Sequence, residues 1–250
     1  MATVTRRELG RIDLFRVFLR MLFLQGVLNR RGMQNLGFAG AMSAAGRWKG
    51  AKDNSLLLRH LSFFNCNPNF APLIMGGVLR LEEERLAGKP VSEGDIDRFK
   101  KSLASPLAAM GDMLFLGALK PLALTFACIF AIYKLPIGLL AVFLIYNLTI
   151  ISCRLWGVYF GYAKGWELVD VFSGPDFQRI LGVVQGLGAG AAGVLVGIVF
   201  HRFPQNGQWM LFFGSALTVL TLYLLKRDVP ASWFAIILFP VSALFTLIFV

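Results

Sequence analysis

The sequence predicts an all-α integral membrane protein, with about five transmembrane helices preceded by amphipathic and re-entrant helical segments. The first observation behind this is composition: 56% of the 250 residues are hydrophobic, 23 are Phe, 26 are Gly, and mean hydropathy is +0.65. The second is that charged residues supply only 16% of the chain, where ~25% is usual for soluble domains. A soluble fold of this size still exposes roughly a quarter of its chain surface, and this chain has too little polar surface to cover it. The third is a series of uncharged apolar runs long enough to cross the ~30 Å of bilayer hydrocarbon. The same composition excludes a disordered chain, a collagenous one and a disulfide-stapled secreted domain, since there are only three Cys.

Each element can be justified in chain order. Residues 12–28 are apolar but interrupted by Arg16 and Arg20, which share one helical face while Phe15, Phe18, Leu19 and Leu22 fill the other. That pattern predicts an interfacial helix, and the arginines make it a poor signal peptide. Residues 70–79 give ten apolar positions before Arg80, too few to cross, so they predict a re-entrant or interfacial segment. Segments of that kind hold substrate in transporters. Residues 86–97 (LAGKPVSEGDID) combine Gly, Pro, Ser and acids and predict a hydrophilic loop. The first span is 113–133, interrupted at Lys120-Pro121 and so expected to kink or to border a hydrated cavity. Spans at 135–153, 180–200, 209–225 and 233–250 follow, the last two opening with the interfacial anchors Trp209 and Trp233.

The net charge of +11 is concentrated at the front. Residues 1–110 hold 17 Lys/Arg and nine Asp/Glu, against eight and five in residues 111–250. This divides the chain into a basic cytoplasmic, interfacial and re-entrant region (1–110) and a transmembrane region (111–250), intertwined in one membrane domain. Arg154, Lys164 and Arg179 in the segment 154–179, and Lys226 and Arg227 in a later loop, fall on the same side as the basic front, while Lys134 and Arg202 lie opposite. The positive-inside rule then puts the N-terminus in the cytoplasm and the C-terminus outside. Because Phe and Leu interleave with the front arginines, anionic lipid is the expected partner of that charge and nucleic acid is not.

Among the motifs, Gly188-Ala-Gly190-Ala-Ala-Gly193 matches the dinucleotide fingerprint literally but sits inside an apolar run, with no strand before it and no acid ~20 residues on. Gly182, Gly186, Gly190, Gly193 and Gly197 instead present small residues at helical spacing, the pattern of close helix packing in membranes. Asp112 either caps a helix N-terminus at the interface or lines a hydrated substrate path. Asn65, Asn67 and Asn69 flank Pro68 and offer either turn chemistry or amides suited to sugar hydroxyls. Glu82-Glu83-Glu84-Arg85 is expected to be a solvated helix end, because consecutive helical residues do not face one another. His60 and His201 are far apart, and Cys128 and Cys153 fall inside predicted spans, so no metal site is expected. With no hydrolase elbow, phosphate-binding loop or kinase motif, no catalytic residue or cofactor is expected either.

Four blocks, taken in order, resemble a known family. These are Phe23-Leu-Gln25-Gly-Val-Leu-Asn29 with Met33-Gln34-Asn35-Leu36-Gly37-Phe38; Arg59-His60-Leu-Ser-Phe63-Phe64-Asn65 with 76–84; Pro106-Leu-Ala with Gly111-Asp112 and Phe115-Leu-Gly117-Ala-Leu-Lys120-Pro121; and Tyr159-Phe-Gly161-Tyr162-Ala-Lys164-Gly165. Together they resemble the IID component of the mannose/fructose/sorbose phosphotransferase system (PTS) permeases, over nearly the whole chain. The resemblance implies a bacterial inner-membrane permease subunit that is not itself an enzyme. It would form a hetero-oligomer with a IIC subunit and shape the path of a hexose-type sugar, while soluble IIA and IIB carry the phosphoryl group. It also implies an elevator-like motion of a core bearing re-entrant hairpins. The path-lining residues it suggests are Asn65, Asn67, Asp112, Gln34 and Asn35.

The chain departs from the family pattern at several positions. The family's Trp-Asn-Tyr-Glu-Arg is represented by Leu28 to Gly32, and its Asn-Thr-His-Pro-Tyr by Asn65-Cys66-Asn67-Pro68-Asn69. Ala109 replaces a glycine, Met113 a serine and Leu116 a tryptophan. These losses leave, as the alternative, a membrane docking or sensory subunit for IIB and IIA that no longer moves sugar.

Overall fold

The computed structural model describes residues 9–45, 55–172 and 176–202, and every regular element among them is helical. Helix α1 (Arg11–Met21) begins where the Asp13 carboxylate accepts the Gly10 N–H at 3.2 Å, and it buries Leu14, Val17, Phe18 and Met21 on one face. Phe18 therefore packs inside the protein and does not join the outward strip that the sequence pattern gave it. A 3-10 turn (Leu24–Val27) leads to α2 (Asn35–Met42), followed by α3 (Ser55–Arg59) and α4 (Ala71–Leu86). Pro72 lies in the first turn of α4, where its missing N–H leaves no bond unmade.

The predicted loop 86–97 is shorter in the structure, because Ser92 and Asp95 form a reciprocal capping box (Asp95 N to Ser92 Oγ and Ser92 N to Asp95 Oδ2, both 3.1 Å). Helix α5 (Glu93–Gly111) starts there. It runs on through a π-helical stretch (Asp112–Leu119) into α6 (Lys120–Ile132). The irregularity expected near Lys120-Pro121 takes the form of this π-helical stretch, through which the chain stays helical. A proline offers no N–H to the preceding turn, and the wider π turns just before it take up the mismatch.

A tight turn with Lys134 in the left-handed region (φ 55°) reverses the chain into α7 (Pro136–Lys164). A short α8 (Leu168–Val171) and the long α9 (Asp176–Arg202) complete the described residues. Among the described residues three helical stretches are long and apolar enough to cross a membrane: Glu93–Ile132, Pro136–Val171 and Asp176–Val199. They coincide with the predicted spans 113–133, 135–153 and 180–200; the predicted spans 209–225 and 233–250 lie outside the described residues. The chain divides into two compact units, residues 1–189 and 190–250; the described part of the second is the end of α9.

Helices α4 and α7 pack most intimately of all, and glycine is the reason. A Cβ on Gly76 would collide with the Val158 carbonyl and the Tyr162 amide, and one on Gly161 with the Leu73 carbonyl and the Gly77 amide. The two backbones thus touch, as small residues allow in membrane helices. On Gly157 a Cβ would stand 3.3 Å from Pro72. The glycines singled out in the sequence behave differently: Gly182, Gly186, Gly190, Gly193 and Gly197 face open space within the described chain.

Because overpacking a tight contact costs ~1–3 kcal/mol or more, Gly161→Leu is expected to lower the melting temperature of the detergent-solubilised chain sharply or abolish its accumulation. Gly40→Ala is the control: its Cβ meets nothing within 4 Å on α2. It should be neutral or stabilise by up to ~1 kcal/mol.

Candidate functional site

The loop between α3 and α4 is held from behind by residues 29–35. Met33 takes a left-handed backbone (φ 56°), and Met33 and Phe64 form an isolated bridge. Gln34 spends its whole side-chain amide on Cys66: Nε2 donates to the Cys66 carbonyl at 2.9 Å, and Oε1 accepts the Cys66 N–H at 3.0 Å. Asn35 donates to the Leu61 carbonyl and accepts from Asn29 Nδ2 at 2.7 Å. Both side chains are buried, so in this chain they fix the shape of the loop. The Cys66 thiol is pushed up to about 12 by burial, which leaves it an inert apolar filler.

Of the two readings left open for the asparagines, Asn67 shows the turn chemistry, and it also bonds the Asp112 carboxylate. Its Oδ1 accepts the Asn69 N–H at 2.9 Å, an Asx turn that leads into α4, while its Nδ2 donates to Asp112 Oδ1 at 2.8 Å. Glycine at 111 permits this approach, because a Cβ there would overlap the Asn67 side chain. Asp112 does not begin a helix: its own N–H bonds to the carbonyls of Ala108 and Ala109 within a continuous one, so the capping reading fails. Asn69 Oδ1 in turn accepts Arg154 Nε of α7 at 2.8 Å. Asn67 and Asn69 are buried, whereas Asn65 and Asp112 are exposed. Behind them Phe70 packs edge-on to Phe115 (5.4 Å) and lies near Phe172 and Phe177.

The depth of this cluster follows from helix rise. Arg154 stands 18 residues beyond Pro136 at the start of α7, about 27 Å along the axis at ~1.5 Å per residue. Asp112 stands 20 residues before the end of α6, a similar distance, about 30 Å. Both therefore lie about one hydrocarbon thickness from the α6–α7 turn. Asp112, Asn67, Asn69 and Arg154 form a chain of polar contacts there, with Asn65 exposed in the same loop.

A second, buried network secures the near end of the loop. Glu82, expected at a solvated helix end, is fully buried. It receives Arg59 Nε (2.9 Å) and Nη2 (2.5 Å), and its Oε1 meets His60 Nε2 at 2.8 Å. Burial alone would raise the Glu82 carboxyl, but hydrogen bonds from His60 and Arg59 hold it below the usual carboxylate range. Burial depresses His60 more than its bond to Glu82 raises it, so a neutral imidazole donates Nε2–H to the carboxylate. Lys100 donates to the His60 carbonyl (3.2 Å) and Ser62 Oγ (3.3 Å) and sits 4.7 Å from the Phe38 ring. Among the described residues no group of three His, Cys, Asp or Glu is placed to hold a metal.

Two of these features escaped the sequence reading. Arg154 reads as a loop charge, and only its contact with Asn69 shows that it flanks the loop. Glu82 carried a legible signal, since Met75, Leu79 and Glu82 fall at i, i+4 and i+7 on the buried face of α4.

Residues 8–202 match the family described as PTS system mannose/fructose/sorbose family IID component. The chain belongs to this IID family. It is 35% identical over 198 residues to the PTS system mannose-specific EIID component of Escherichia coli K12, covering 78% of this chain and 70% of that one. It is 33% identical over 241 residues to the sorbose-specific EIID component of Lacticaseibacillus casei (87% and 86%), and 30% identical over 193 residues to the fructose permease IID component of Bacillus subtilis (76% and 70%). Of solved structures, one titled as a membrane protein aligns with a TM-score of 0.77 at 28% identity, over 96% of this chain and 97% of that one. The mannose transporter ManYZ in complex with microcin E492 aligns with a TM-score of 0.61, also at 28% identity and the same coverage. As a IID component this chain is a transport subunit. The family blocks legible in its sequence supply the loop clamp (29–35), the loop itself (59–69), the helical stretch that carries Asp112 and the Gly161 crossing.

The buried pair makes IID stability depend on pH with a definite sign. His60 and Glu82 both have folded-state values below their unfolded ones. Each therefore contributes stability above its unfolded value and loses it as pH falls. Thermal melts should show falling stability from about pH 7 to pH 5, first through His60, and His60→Gln should flatten that stretch of the profile.

Proposed function

We propose that this IID chain, with a IIC subunit, forms the translocation path of a mannose-family PTS permease, and that soluble IIB, recharged by IIA, phosphorylates a hexose-type sugar as it reaches the cytoplasm. The observation that carries this reading is the Asn67–Asp112 hydrogen bond at the depth of a membrane boundary. It pre-orients a carboxylate and an amide, the groups that bind sugar hydroxyls. Asn65 is exposed beside them, and Gln34 and Asn35 serve the path by holding the loop. Arg154, fixed by Asn69, adds a donor on the other flank. The glycine face Gly182, Gly186, Gly190, Gly193 and Gly197 is read as a packing surface for another membrane helix.

In this reading the chain sits in a bacterial inner membrane with its N-terminus in the cytoplasm. It completes five spans and ends outside; α4, which packs on α7 from Gly157 to Gly165, lies at and beyond the boundary reached at Arg154, so the re-entrant reading of 70–79 is not kept. The division at residue 110 is one of location, with 1–110 cytoplasmic and interfacial and 111–250 transmembrane, and not one of packing.

The test is phosphoenolpyruvate-dependent sugar uptake by cells co-expressing this chain with its IIC, IIB and IIA partners. Asn67→Ala and Asp112→Asn should each lower uptake about tenfold or more, the scale of losing a charge-assisted hydrogen bond, at unchanged membrane abundance. Full uptake in both variants contradicts the assignment of the path. No uptake of any hexose by the wild type, with IIB still bound, marks a docking subunit instead.

A further inference from the structure

The outward side of α1 has no role in the loop, the crossing or the sugar path. Ile12, Phe15 and Leu19, spaced by three and four, form an exposed apolar strip, with Ile12 68% exposed and Phe23, just past the helix end, 75% exposed. Arg16 and Arg20 lie along one edge of this strip and are also exposed; Arg16 makes only a long ion pair with Asp13 (3.5 Å). The helix thus has three sectors: one buried in the core, one apolar and outward, one basic.

Independent contacts set the depth at which this helix sits. The Tyr159 hydroxyl of α7 donates to the Arg11 carbonyl at 2.9 Å, and Glu83 Oε1 of α4 accepts the Leu9 N–H at 2.8 Å while Tyr162 also donates to that carboxylate. Tyr159 stands 23 residues beyond Pro136, about 35 Å along α7. That is just past the ~30 Å of hydrocarbon, and still past it at the ~20° tilt usual for membrane helices. The start of α1 is therefore pinned at headgroup depth, where an apolar strip reaches acyl chains and an arginine edge reaches phosphates.

We propose that α1 is a lipid-binding face that seats on anionic phospholipid, with Ile12, Phe15 and Leu19 in the acyl boundary and Arg16 and Arg20 on the headgroups. Anionic lipid is favoured over a protein partner by the charge of the exposed edge and by this depth.

The test places a nitroxide label at Leu19→Cys in the full-length chain carrying Cys128→Ala and Cys153→Ala, assembled with IIC in nanodiscs. Its relative accessibility to oxygen and to a water-soluble nickel chelate reports depth. In discs of phosphatidylcholine with about 30% phosphatidylglycerol the label should read acyl depth. Adding Arg16→Gln and Arg20→Gln should lower the oxygen-to-nickel ratio about threefold, since each basic residue near an anionic surface contributes to binding. Pure phosphatidylcholine discs should give the wild type that same lowered ratio. Equal ratios in the two lipids overturn the proposal. A label shielded from both reagents does so too, and shows that a protein partner covers the face.

Discussion

The close crossing of α4 and α7 is the constraint on which the rest of the described structure depends. Gly76 and Gly161 let the two backbones meet, and the contact fixes where the N-terminal end of α4 lies against α7. Asn69, two residues before α4, then falls within 2.8 Å of Arg154. Close van der Waals contact and buried polar bonds together hold the pair. Both are present here: glycines at the centre of the crossing, with Asn69–Arg154 on one side and Glu83 with Tyr162 on the other.

The buried polar side chains of the loop and its clamp, Gln34, Asn35 and Asn67, are each hydrogen-bonded. Gln34 satisfies Cys66, Asn35 satisfies Leu61, and Lys100 satisfies the His60 carbonyl; left unpaired, such groups cost roughly 1–3 kcal/mol apiece. The buried Glu82 is tolerated because it meets a guanidinium and an imidazole together. Removing Arg59 would leave the Glu82 carboxylate without its counter-charge in the core. What remains exposed at the end of this scaffold is Asp112 and Asn65, rigidly presented.

The helical class and the three described spans were legible because runs of uncharged apolar residues have few alternatives in lipid. The Asn-rich loop and Asp112 stood out in the sequence as candidates, which the fold brings together at Asn67 and Asp112, and the order of blocks pointed to the family. Other features were hidden for physical reasons. Phe18 follows the same period as its outward-facing neighbours, and only tertiary packing places it inside. Pro121 marks an irregularity in the sequence, but its form, a π-helical stretch ahead of the proline, is not written in a local pattern. The glycine spacing at 182–197 is more regular than that of Gly76 and Gly161, yet the close contact is made by the latter, because a crossing needs two small residues on different helices and a single-helix pattern records neither partner. Arg154 looks like a loop charge until α7 is seen to extend ten residues past it.

The central claim is that Asn67 and Asp112 act as one unit in handling sugar, joined by the bond that Gly111 permits. A double-mutant cycle on uptake in the assembled permease, using Asn67→Ala, Asp112→Ala and the pair, tests it directly. The account predicts strong non-additivity, with the double variant losing little more than the worse single one. Losses that multiply, as for independent residues, would contradict it.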